Sequence, residues 1–132
     1  MSVDDLLFRD ECYQIIGLCM KIHSRLGPGF KEIVYKDALE LEFIKNNIPY
    51  VREMGLKVEY DSEILRHGFN ADFEAYGSIL LEIKSTSEIH PDHIADTINY
   101  LKVAKKQLGL LINFGERRLK FKRVVLSEKY WY

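Results

Sequence analysis

Cysteine, proline and glycine are all scarce here: two, three and eight residues respectively in a chain of 132. Two cysteines cannot build a disulfide framework. Cys12 and Cys19 lie seven apart and fit one face of the first expected helix, so they read as buried free thiols of a reduced cytosol. Their spacing matches no zinc pattern. No internal repeat, linker or low-complexity tract is present. Charge of either sign is not in excess, the formal net charge being −1, so any argument for a nucleic-acid partner must rest on local patches. No apolar run approaches the roughly 20 residues needed to span a bilayer. The N-terminus, MSVDDLLFRDE, is acidic and unlike a secretory signal. These absences lead to the expectation of a soluble, cytoplasmic protein with no membrane partner.

What is present suits a folded core. The chain is 47% hydrophobic and 12% aromatic, and its length fits one domain spanning residues 1–132. Cys12, Ile15, Ile16, Cys19, Ile22 and Leu26 recur at helical spacing, predicting a helix over about 4–26 that Gly27-Pro28-Gly29 breaks. A second helix is expected over about 31–46, with Val34, Ala38, Leu41 and Phe43 or Ile44 as its buried stripe and Pro49 beyond its end. A strand over about 52–60 is followed by a turn at Asp61-Ser62. Residues 68–75 and 78–84 flank Tyr76-Gly77 and read as a hairpin. Pro91 opens a third helix to about Gln107, with Ile94, Ile98 and Leu101 inward. Residues 109–114 form an apolar run suited to a fully buried strand, and a last strand covers about 119–126. The order is ααβββαββ, a mixed α/β domain.

The hairpin carries the most informative geometry. With its turn centred on Gly77, Asp72 pairs with Glu82 and Asn70 with Lys84. Ala71, Phe73, Ala75, Ile79, Leu81 and Ile83 then share an apolar face, and a one-residue slip would scramble it. Directly opposed residues have Cβ atoms about 4.5–5.5 Å apart, so two ionised carboxylates there repel and need compensation. Magnesium supplies it, being a hard ion that binds through one or two carboxylates plus waters and substrate phosphates. Lys84 follows on the same face, suited to hold a water or to stabilise charge on a phosphate. The alternative is a solvated sheet face with a Glu–Lys pair worth about 0–1 kcal/mol. Against it, the third helix needs an apolar surface, and carboxylates covered by a helix need partners.

Other residues have two readings each. Glu32 is either a first-turn glutamate favoured by the helix dipole or a catalytic acid. Tyr35, three residues on, reads first as a packed aromatic with a bonded hydroxyl. His23 reads as a core histidine, with its proximity to Glu32 in sequence leaving a site role open. His90 and His93 flank the start of the third helix without further ligands at zinc spacing. Lys102-Lys105-Lys106 and Arg117, Arg118, Lys120, Lys122 and Arg123 are basic clusters, either solvated faces or phosphate contacts. On the last strand Lys120 and Lys122 point to one side and Arg123 to the other. Tyr130-Trp131-Tyr132 at the terminus suit docking on the core or self-association as a homodimer.

Asp72 with Glu82-Ile83-Lys84 resembles the D…ExK signature of the PD-(D/E)XK nuclease superfamily. Gly29-Phe30-Lys31-Glu32-Ile33-Val34-Tyr35 looks like the motif that names its GxxExxY family. Ile22-His23, Leu26-Gly27-Pro28-Gly29, Ala38-Leu39, Glu42, Ala71-Asp72, Asn99-Tyr100-Leu101-Lys102, residues 109–115 and Lys122-Arg123 extend the likeness over nearly the whole chain. The resemblance implies a restriction-endonuclease-like core, a mixed β-sheet flanked by helices. It implies Asp72 and Glu82 as metal ligands, Lys84 as the catalytic lysine, and Glu32 as a further acid at the metal, directly or through water. It also implies Mg2+ or Mn2+ as cofactor and hydrolysis of a nucleic-acid phosphodiester, with DNA favoured over RNA. Tyr100 stands at the tyrosine position of the helix after ExK, whereas Asp96 replaces the usual glutamine. That departure supports the alternative of an inactive nucleic-acid- or protein-binding module of the same fold.

Overall fold

The computed structural model describes residues 7–131. Helix α1 covers Arg9–Leu26 and α2 covers Glu32–Lys45. The strands are β1 (Tyr50–Leu56), β2 (Glu59–Tyr60), β3 (Glu63–Ile64), β4 (Phe69–Ala75) and β5 (Ile79–Lys84). Helix α3 (Pro91–Ala104), β6 (Leu108–Asn113), β7 (Lys120–Val125) and a 3₁₀ turn (Glu128–Tyr130) complete the chain. Five strands make one mixed sheet in the order β1-β4-β5-β6-β7, and β2-β3 form a separate small hairpin. Among the described residues only β5 and β6 run parallel, and α3 is the crossover that a parallel pair requires. Without the small hairpin the order is the expected ααβββαββ.

The sheet is covered on both sides. One core cluster joins α1 and α2 to Phe73, Ala75, Ile79, Leu81 and Ile83 of the hairpin and to Leu108, Leu110 and Ile112 of β6. The other joins Leu80, Leu101 and Val124 beneath α3. β5 and β6 are therefore central, and β6 is buried at all of its positions, as its unbroken apolar run requires. Gly109 lets α3 approach: a Cβ there would lie 2.8 Å from Thr97 Cγ2. Among the described residues, no helix is long and apolar enough to cross a membrane.

Several sequence expectations need correction. The strand expected over 52–60 ends at Leu56, and Asp61-Ser62 is the tip of the β2–β3 hairpin, both residues at positive φ, as a tight two-residue turn demands. Helix α2 buries Tyr35, Leu39 and Phe43, not the stripe through Val34 and Leu41; Leu41 is 51% and Ile44 58% exposed. Leu26, expected inward, is exposed. Ala71 belongs to the cluster beneath α3, not to the Phe73 face. Helix α3 stops at Ala104, where Lys105 turns left-handed with φ 57°. The part of the first expected helix before Leu7 lies outside the described residues, as does Tyr132.

Candidate active site

β4 and β5 pair through Phe73↔Leu81, Glu74↔Leu80 and Ala75↔Ile79, the register expected from a turn at Gly77. One step further, where Asp72 would meet Glu82, the ladder changes. Asp72 Oδ2 accepts the Ile83 backbone N–H at 2.7 Å, taking the place of a backbone acceptor. That bond turns the Asp72 carboxylate toward β5 and beside Glu82. Asp72 Oδ1 accepts from Lys36 Nζ of α2 at 3.1 Å, and Lys36 also donates to Glu53 Oε1 of β1.

Glu82 is 7% exposed. Its Oε1 is a buried side-chain atom with no hydrogen-bond partner among the described residues. Burial pushes its pKa up to about 9; the Asp72 charge and a hydrogen bond with Asp72 act in the same direction, and Lys84 opposes them. A buried carboxyl beside a carboxylate holds its proton for these reasons. Lys36 is raised as well: burial disfavours its charge, but the bonds to Glu53 and Asp72 outweigh that. Tyr100 is raised by burial, then by the charges of Glu82, Asp96 and Asp72, so α3 brings its tyrosine to the acids. Its ring also packs on Phe69 at 5.1 Å between centroids. Asp96, one turn earlier, is exposed.

The orphaned Glu82 oxygen beside Asp72 suits a hard divalent ion, which supplies the charge that both carboxylates need. Among the described residues no three His, Cys, Asp or Glu side chains converge on one point, so the donors come as a pair. Glu32 opens α2, half-buried and without an ion pair among the described residues. It lies one turn before Lys36 on the same side of the helix. Ser85 Oγ donates to Phe30 O at 2.6 Å, tying the start of α2 to the end of β5.

Lateral neighbours across the sheet share a face. Glu82 registers with Leu111 and Leu111 with Lys122; Lys84 registers with Asn113 and Asn113 with Lys120. Lys120 and Lys122 are exposed on the face of the carboxyl pair, two strand spacings or about 10 Å away. Lys102, half-buried in the last turn of α3, has no ion pair among the described residues.

Three candidates are not brought to this face. Arg123 points to the opposite one, where Nη1 donates to Cys12 Sγ at 3.2 Å and Nη2 to Leu7 O at 2.9 Å. Tyr35 is fully buried; its hydroxyl donates to Gly27 O at 2.5 Å and accepts from Phe30 N at 3.2 Å, locking the Gly-Pro-Gly loop. Its ring stacks on Phe114 at 4.5 Å. His23 Nε2 bonds Glu116 O at 2.8 Å, tying α1 to the β6–β7 loop. His90 and His93 cap α3 through their ring nitrogens. Cys12 and Cys19 are free and buried, and Trp131 docks through its indole N–H on Lys106 O at 3.1 Å. A cleft of about 470 Å³ lies on the far face too, lined by Tyr13, Ile16, Met20, Phe121 and Arg123 among others; it holds none of the acids.

Sequence reasoning missed Lys36 and Glu53. Lys36 had one signal, its position four residues after Glu32. Glu53 had none, because its φ of 54° inside a strand is not written in local composition.

The profile of the PD-(D/E)XK nuclease superfamily matches residues 9–124. Among solved structures the chain is similar to that of SSO0001, with a TM-score of 0.53, 18% identity and coverage of 73% of this chain and 51% of that one. It is also similar to an alkaline exonuclease (LHK-Exo) from Laribacter hongkongensis, with a TM-score of 0.50, 9% identity and coverage of 68% and 53%. The chain thus spans about half the length of each of these proteins. No curated protein sequence matches it significantly. With a match from the first helix to the last strand, the chain belongs to the PD-(D/E)XK nuclease superfamily.

Proposed function

We propose that this chain hydrolyses phosphodiester bonds of nucleic acid, DNA in preference to RNA, with a divalent ion held by Asp72 and Glu82. The observation that carries the reading is the buried Glu82 oxygen beside Asp72, without a hydrogen-bond partner among the described residues. Two carboxyl groups kept together at the cost of one holding a proton to about pH 9 need a compensating role, and strained titration of this kind gathers at functional sites. The ion, Mg2+ or Mn2+, supplies Lewis acidity toward a phosphoryl oxygen and lowers the pKa of a bound water.

The chain's own residues do the rest. Asp72 and Glu82 hold the ion, with Asp72 oriented by the Ile83 N–H. Lys84, at the end of the same strand, directs the attacking water or neutralises the phosphate as its charge grows. Glu32 adds a carboxylate from α2, directly or through water. Tyr100, on α3 within range of the acids' charges, contacts the substrate's sugar or phosphate, with Asp96 in the place of a glutamine. Lys120 and Lys122, on the same face, contact backbone phosphates, and Lys102 adds charge from α3. The GxxExxY resemblance, carried by Gly29, Glu32 and Tyr35, supports a place in that branch of the superfamily.

The test is cleavage of single- and double-stranded DNA and RNA in Mg2+ or Mn2+, comparing wild type with Asp72→Asn and Lys84→Ala. Each substitution is expected to lower the rate about 100-fold or more. Equal cleavage by all three proteins removes these residues from the mechanism.

A further inference from the structure

Asp72 has an acidic neighbour on each side. β1 pairs with β4 so that Arg52 faces Phe73 and Met54 faces Ala71, which sets Glu53 across from Asp72 on the side away from Glu82. Adjacent strands run about 4.8 Å apart, so Glu53, Asp72 and Glu82 form a lateral row over three strands. The row is not a by-product of ordinary pairing. Glu53 holds φ 54° inside β1, a left-handed conformation that is strained for a non-glycine residue and persists where its surroundings hold it. Lys36 bridges the first two members of the row: its ammonium bonds Glu53 Oε1 and lies 3.1 Å from Asp72 Oδ1.

The two positions between acids are therefore unlike. Between Glu53 and Asp72 sits an ammonium on a side chain only 11% exposed. Between Asp72 and Glu82 no lysine or arginine makes an ion pair among the described residues, and Glu82 Oε1 is buried without a partner.

We propose that Lys36 is the resident cation of this row: it occupies the Glu53–Asp72 position, keeps Glu53 from ligating a metal, and limits the site to one divalent ion. The inference rests on the metal-binding reading above. Its physics is competition for one place. A second divalent ion between Glu53 and Asp72 must evict an ammonium that already satisfies both carboxylates and whose stem is buried under α2. With a neutral residue at position 36, Glu53 and Asp72 face each other uncompensated. That is the chemistry that suits the neighbouring position to a cation.

Mn2+ titration of the full chain, with free ion read by electron paramagnetic resonance and heat by calorimetry, tests this directly. Wild type and Lys36→Arg are expected to bind one Mn2+ each, Lys36→Gln two, and Lys36→Gln/Glu53→Gln one again. Glu53→Gln alone, which disturbs no buried packing, is expected to keep one ion at unchanged affinity. A loss of affinity in Glu53→Gln makes Glu53 a ligand and overturns the proposal, even if Lys36→Gln fails to fold. One ion on both wild type and Lys36→Gln overturns this inference alone. No Mn2+ on wild type overturns the metal-binding reading and this one with it.

Discussion

Burial and the Asp72 charge push Glu82 up to about 9 from an ordinary 4.5, so near neutral pH the metal-free folded chain holds a proton that the unfolded chain has released. The folded pKa is the higher one. Its favourable contribution is therefore complete below about pH 4.5 and is lost progressively as pH rises to about 9, beyond which the loss stops. The slope from one such group is at most about 1.4 kcal/mol per pH unit. Urea unfolding of metal-free protein between pH 5 and 8 is expected to show stability falling with pH, more steeply in wild type than in Glu82→Gln. At pH 8 the amide variant is expected to equal or exceed wild type, since an amide needs no proton to stay neutral there. Parallel pH profiles for the two proteins would place the proton elsewhere. The same preference makes divalent-ion binding release a proton, so affinity for Mn2+ is expected to rise with pH. Calorimetry in buffers of different ionisation enthalpy reads that release.

Among the elements, the end of β6 holds the loop that leaves the site. Asn113 is fully buried. Its Oδ1 accepts from Thr86 N and Gly115 N, each at 3.0 Å, and its Nδ2 donates to Thr86 O at 3.0 Å and Glu116 Oε2 at 2.9 Å. The carboxamide clamps the chain just past Lys84, and Gly115 fits because a Cβ there would lie 2.3 Å from Thr86 N. Asn113→Ala leaves these backbone groups unpaired and is expected to lower unfolding free energy by about 2–4 kcal/mol. A loss under about 0.5 kcal/mol in urea unfolding would mean that water replaces the amide. None of this clamp was legible in the sequence, because a buried asparagine in an apolar run looks like any strand end. The β4–β5 hairpin was legible: residues 73, 75, 79, 81 and 83 alternate apolar about one glycine, and only one register buries them together. Helix α2 was not. Apolar residues surround it, so no single arc stands out, and only packing on Phe73 and Phe114 selects Tyr35, Leu39 and Phe43. The choice of arc also decides whether Lys36 faces Asp72, which is why Asp72 and Glu82 could be found in sequence and the lysine bonded to Asp72 could not.

For the molecule as a whole, a net charge of −1 conceals how the strands sort their charges. β7 alternates, sending Lys120 and Lys122 to the face of the carboxyl pair and Arg123 to the face of α1. On the proposed function these neighbours have different jobs. A lysine that contacts a phosphate releases counterions on binding, and each such contact contributes about 0.7–0.9 to the slope of log affinity against log salt. Lys120→Ala/Lys122→Ala is expected to flatten that slope by about 1.4 for single-stranded and about 1.8 for double-stranded DNA, with little change in unfolding, because both side chains are exposed. Arg123→Ala is expected to do the reverse. It removes the bonds to Leu7 O and Cys12 Sγ that tie β7 to the start of α1, so unfolding is expected to become easier by about 1–3 kcal/mol while the salt slope stays the same. Fluorescence anisotropy of labelled oligonucleotides over a salt series, beside urea unfolding of the same proteins, separates the two. A salt slope that falls with Arg123 and not with the two lysines would move the nucleic-acid path to the α1 face, away from Asp72 and Glu82.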